Sequence, residues 1–258
     1  MITDFKKYDL PHSWDDVTLK QFQELQKAYN DEKKEVSIVD LISIMANKPK
    51  SEVQQLPTSF AELIMNELGF IMEQPKQQKS VPYIIIDGKK YVVNFLEKLK
   101  TGEWVDVNMV IKDDSKNYAA MLAILCRLEG EKYDDDFIAN KLEERTEMFL
   151  RQPITKILPI VAFFFGIVVD IQKEFPALYA NRRPTKQHSK EYREFNKRWG
   201  YQKTLFDLAG ESLAQVSVIQ QQYLTTTLFW LTYLIDKGEV DEKEEQFQDN
   251  LRKMKGGR

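Results

Sequence analysis

Asp87-Gly88-Lys89 has the acid-x-Lys spacing found in metal-dependent nucleases, where a carboxylate holds a divalent ion and the lysine orients the attacking water. The same residues have a second explanation. They lie in Tyr83–Val93, YIIIDGKKYVV, where Asp-Gly between runs of β-branched and aromatic residues predicts a hairpin with a type I′ turn. No carboxylate on a preceding strand completes a metal pair, so the turn explanation takes precedence. Glu129, Glu131, Asp134, Asp135 and Asp136 are oxygen donors suited to a hard cation. They lack the alternating ligand spacing and central glycine of an EF-hand loop, and carboxylates there also suit a helix N-terminus. His12 and His188 stand far apart, neither with a Cys or His at ligand spacing. The sequence contains no G-x-S-x-G, P-loop or G-x-G-x-x-G motif. These residues therefore point to a non-enzymatic protein with no cofactor, metal site or catalytic group.

The stretch with the most binding character is Asn181–Lys203, NRRPTKQHSKEYREFNKRWGYQK. Arg182, Arg183, Lys186, Lys190, Arg193, Lys197, Arg198 and Lys203 stand there against only Glu191 and Glu194. With Tyr192, Trp199 and Tyr201 interleaved, the segment has the chemistry for phosphate contact and base stacking, or for an acidic protein partner. A simpler reading competes. Tyr192, Phe195 and Trp199 fall at i, i+3 and i+7, the spacing of a core stripe on a helix whose charges face water.

The elements that would position these groups are almost all helical. Val17–Tyr29 carries Val17, Phe22, Leu25 and Tyr29 near helical spacing, with Asp15, Asp16 or Thr18 as the cap, and Val36–Ala46 shows a second apolar face. Ser51 with Gln54 matches a capping box, and Thr58 is placed to cap a run over Phe60–Met72. After a polar connector at Pro75–Pro82 comes the hairpin, which must dock on helices or gain a strand, since a lone hairpin is marginal in water. Further helices are predicted within Asn94–Val110, interrupted at Gly102, and over Tyr118–Leu128 and Asp136–Leu150. Ile157–Val169 is an uninterrupted run of thirteen largely apolar residues. Spanning a bilayer takes about 20 such residues, so this run reads as the buried spine of the core, beginning after Pro153 and ending near Phe175. A loop follows Pro176, then helices at Ser189–Trp199, Lys203–Ala209 and Val216–Leu234, and a charged end that should fray. The fold class is mainly α, a multi-helix globular protein with one small hairpin. Its regions are 1–74, 83–175 and 176–258, or one continuous domain.

Composition sets the outer limits. With 258 residues, 43% of them hydrophobic and 12% aromatic, the chain has ample material for a folded core. A formal charge of -3 gives no general attraction to nucleic acid or anionic membrane, so any such contact must be local. The single cysteine, Cys126, lies in the apolar run AAMLAILCRL and excludes an internal disulfide, which suits a reducing compartment. MITDFKKYDLPHSW lacks the charged-then-apolar order of a signal peptide.

Three stretches, SWDDVTLKQFQELQ, IIIDGKKYVVNFLEKLKTGEWVDV and RWGYQKTLFDLAGES, resemble a loosely defined group of tailed-bacteriophage tail and virion morphogenesis proteins, often described as tail assembly chaperone-like. The similarity is spread over most of the chain and carries no catalytic residue. It implies a protein that binds other phage structural proteins in an oligomeric assembly, as a virion or tail component or as a chaperone. Such a protein works in the host cytoplasm during assembly, or stays in the virion, without a membrane. Nucleic-acid binding through 182–203 is the alternative and is not favoured.

Overall fold

The computed structural model describes residues 8–31, 35–76, 78–112, 117–180, 189–210 and 212–256. Among them are thirteen α-helices and one three-stranded antiparallel sheet, the mainly α architecture that the periodicity predicts. α1 (Leu19–Asn30) starts at Thr18, whose hydroxyl accepts from the Gln21 amide while the Gln21 side chain accepts from the Thr18 amide. α2 (Ile38–Met45) repeats the capping box with Ser37 and Asp40. The next two caps differ from expectation. Ser51 lies inside α3 (Lys50–Val53), and Thr58 is the first residue of α4 (Thr58–Glu67). Pro49 and Pro57 precede these helices, and their fixed φ presets the entry without a side-chain bond. Leu68–Met72 continues as a 3-10 turn.

β1 (Tyr83–Ile86) and β2 (Lys89–Val93) pair from Tyr83 opposite Val92 to Ile86 opposite Lys89. Asp87 at φ 49° and Gly88 at φ 73° make the left-handed pair that a type I′ turn requires. Ile84, Ile86, Tyr91 and Val93 face the core, while Ile85 faces out. The hairpin gains its third strand from β3 (Cys126–Arg127), which pairs with Val92 and Val93. A Cβ added at Gly88 would touch nothing within 4 Å, so substitution there meets backbone strain alone. Gly88→Val is expected to lower unfolding free energy by about 1–2 kcal/mol in chemical denaturation, with the slope unchanged.

A 3-10 turn at Leu96–Lys98 leads into α5 (Thr101–Lys112), which runs through Gly102 without a break. Gly102 answers a packing need: a Cβ there would stand 3.2 Å from the Cβ of Gln220. α6 (Tyr118–Leu125) is buried on nearly every side, as an all-apolar helix must be. α7 (Asp135–Asn140) and α8 (Leu142–Leu150) divide at Lys141, and Phe137 and Phe149 bury their rings there.

α9 (Ile154–Glu174) covers the predicted spine, but only one of its faces is buried. Ile154, Ile157, Ile160, Phe164, Ile167 and Ile171 form that stripe, while Phe165 and Val169 are exposed on the other side. Among the described helices of the first unit it is α6 that is buried on nearly every side, so the core of that unit centres there. α9 has the length and composition of a membrane span, a test that the core helix of a water-soluble protein also passes.

The chain continues through α10 (Pro176–Tyr179), α11 (Lys190–Leu208), α12 (Leu213–Gln220) and α13 (Leu224–Gly256). Two expectations fail here. The loop expected after Pro176 begins with the four-residue helix α10, and the helix foreseen over 216–234 divides at Gln221–Tyr223; the charged end is helical as far as Gly256. Two compact units result. Met1–Asn94 with Asp106–Phe165 forms the first, and Phe95–Val105 with Gly166–Arg258 forms the second.

Candidate interaction surface of the second unit

Of the acidic residues singled out in the first unit, Glu129 is exposed, while Glu131, Asp134 and Asp136 make hydrogen bonds within the fold. Asp134 caps α7 by accepting from the Phe137 amide at 3.0 Å, and Asp136 accepts from the Asn140 side chain. The side chain of Asp135 lies outside the described part. Glu131 receives both Arg145 guanidinium nitrogens at 3.1 and 3.0 Å, with the Leu128 amide at 3.2 Å. Burial alone would raise the Glu131 carboxyl, but these hydrogen bonds and the charges of Arg145 and Lys141 hold it below the ordinary carboxylate value. Arg145 also donates to the Cys126 carbonyl and lies over the Tyr91 ring. Cys126 is fully buried, and desolvation pushes its thiol up to about 12 even beside Arg127 and Arg145. Among the described residues no three His, Cys, Asp or Glu side chains converge where they could hold a metal ion.

In the second unit, the start of α13 is clamped to a segment more than a hundred residues earlier. The Leu224 amide donates to the Leu99 carbonyl at 2.8 Å, and the Thr101 amide donates to the Gln222 carbonyl at 2.9 Å. The Thr101 and Thr227 hydroxyls meet at 2.7 Å in the interior, and the Lys100 ammonium lies 3.7 Å from the centre of the Tyr223 ring. This clamp aims Leu224, Leu228, Leu231 and Ile235 at a cavity of about 300 Å³, lined also by Trp104, Tyr179 and Tyr201. Burial, reinforced by the Tyr201 phenol, pushes the Tyr179 hydroxyl up to about 12, and burial raises Tyr201 as well. Both phenols stay protonated near neutral pH, so they offer hydrogen bonds and no nucleophile.

Two helices of this unit leave aromatic rings in water. On α11, Tyr192, Phe195 and Trp199 are 40%, 46% and 38% exposed, contrary to the core stripe their spacing suggests. The reason is local. Gly200 at φ 48°, ψ -123° kinks α11, and it is Leu205 and Ala209, beyond the kink, that pack with Val216. Phe195 lies tilted against Trp199 at 6.4 Å, and Trp199 meets Phe206 edge-on at 6.1 Å. On α13, Phe229 is 72% exposed, and Trp230 stacks on Tyr233 with ring centres 5.1 Å apart, both outside the cavity face.

The predicted basic contacts divide. Arg182, Arg183 and Lys186 lie outside the described residues, as does His188. Lys190, Arg193, Lys197 and Arg198 are exposed on α11, while Lys203 is half-buried and paired with Asp207. The α13 aromatics are the surface that sequence reasoning missed; a break after Gln220 would have turned Phe229 and Trp230 outward, and no Gly or Pro marks it. No family model, curated protein or solved structure matches this chain.

Proposed function

We propose that this chain is a non-enzymatic bacteriophage morphogenesis protein that acts through protein–protein contacts, as a virion or tail structural component or as a tail assembly chaperone. The observation that carries this reading is the exposure of Tyr192, Phe195, Trp199, Phe229, Trp230 and Tyr233 on two helices of one unit. Exposed aromatic groupings mark interaction sites, because Tyr, Trp and Phe are concentrated at interface cores. The resemblance of the three sequence stretches to phage assembly proteins supplies the setting. Host cytoplasm during assembly, or the virion itself, is the corresponding location, and no cofactor is required.

Mass spectrometry of purified particles and of their tail precursors tests the reading. The protein should be found in one or the other, and Phe195→Asp with Trp199→Asp should remove it while the exposed positions leave folding intact. Absence from both fractions would end the assembly reading. The second reading is nucleic-acid binding, favoured by the exposure of Lys190, Arg193, Lys197 and Arg198 beside Tyr192 and Trp199. Against it, α11 carries five basic and three acidic residues, and Lys190 lies 3.9 Å from Glu194. Replacing Arg182, Arg183, Lys197 and Arg198 with Ala is expected to change DNA or RNA affinity little at about 0.15 M salt. Sub-micromolar binding with a steep log-log salt dependence, lost in that variant, would put the nucleic-acid reading first.

A further inference from the structure

The second half of α13 has no cover among the described residues: every residue from Asp236 to Asn250 is exposed. Helices of this length are marginal in water without a packed face, and Gly238 weakens this one further. Its outward residues are nonetheless ordered. Trp230, Tyr233, Lys237, Val240, Glu244, Phe247, Leu251 and Met254 follow one another at alternating steps of three and four. That is the 3.5-residue period of a coiled-coil seam, sustained over more than three heptads. The seam starts on the face opposite Leu228, Leu231 and Ile235, so the cavity does not consume it.

The two charged members of the seam select the partner. In a parallel, in-register pair of identical helices, Lys237 would sit on Lys237 and Glu244 on Glu244, and both layers repel. An antiparallel pair centred near Glu242 reverses this. Trp230 then meets Met254 of the second copy, Tyr233 meets Leu251, and Lys237 comes within about one helical turn of Glu244. Between these apolar ends Lys237 packs against Phe247 and Val240 against Glu244, which leaves each Lys237 one layer away from a Glu244 of the other copy instead of facing its own kind.

We propose that α13, from Trp230 to Met254, pairs antiparallel with α13 of a second copy, making this protein a homodimer. The inference rests on the reading of the chain as a protein-binding one and names one of its partners. Sedimentation equilibrium of the full chain at micromolar concentration tests it. Wild-type protein should be dimeric, and Phe247→Asp with Leu251→Asp should be a folded monomer that keeps most of the wild-type helical circular dichroism signal and a cooperative thermal transition. Lys237→Glu alone and Glu244→Lys alone should each weaken association about tenfold or more, and the double swap should restore it. A monomeric wild type overturns the proposal, as does a dimer indifferent to Phe247→Asp with Leu251→Asp, or a double swap as weak as either single change. None of these outcomes touches particle association through Phe195 and Trp199, so the two readings fail separately.

Discussion

Replacing Phe164 with Asp is expected to abolish recovery of soluble protein. Phe164 is 1% exposed on the buried stripe of α9, with its ring 5.7 Å from that of Phe165. A carboxylate there loses its water, at a cost of several kcal/mol, which approaches the whole stability of a domain. Two companions define the effect. Phe164→Leu keeps the site apolar and should remain soluble, while Val169→Asp, on the exposed face, should express and melt like the parent. Equal damage from Val169→Asp would mean that α9 is covered on both faces, by protein or by lipid. Soluble Phe164→Asp with an unchanged melting temperature would contradict the buried stripe itself.

Arg145→Met should cost about 3–5 kcal/mol, because it leaves the Glu131 carboxylate, the Cys126 carbonyl and the faces of Tyr91 and Phe137 without their shared cation. Removing both charges with Glu131→Leu and Arg145→Met should recover much of that loss, since two apolar partners strand no charge. The pair also makes stability depend on pH. Glu131 in the folded chain titrates below its ordinary value of 4.5, so its contribution is complete above that value. It is lost as pH falls through the depressed value. Urea unfolding between neutral and acidic pH should therefore show a steeper fall for the parent than for the double variant; identical slopes would mean that the pair carries no such linkage.

The sequence revealed local devices far better than it revealed burial. Thr18, as one of three cap candidates, and Asp87 with Gly88 were legible because cap and turn chemistry depend on residues within three positions of one another, although the partner Gln21 was not read. β3 was not, since Cys126 and Arg127 continue an apolar helical run and become strand only because β2 offers a free edge. Gly102 looked like a break because a glycine kept for close approach to Gln220 has the same letter as one kept for a turn. The aromatic period of Tyr192, Phe195 and Trp199 was read correctly as a face, and incorrectly as a core face. Periodicity states which side chains share a side of a helix; what covers that side is decided by distant segments. For the same reason the α13 seam stayed hidden, its period diluted by Lys237 and Glu244 within a run of charges.

The clamp between Thr101 and Gln222 fixes an order of events during synthesis. The bonded partners are 121 positions apart, and ribosomes add about 5–20 residues each second, so Thr101 waits roughly 6–25 s for its partner to be made. During that interval Leu99, Trp104 and Val105, which end up buried, have emerged without the α13 residues that later help to enclose them. The second unit is thus completed last even though part of it is translated early. A nascent chain arrested before Leu224 would present that apolar segment to cellular chaperones, whereas one released after Ile235 could close it.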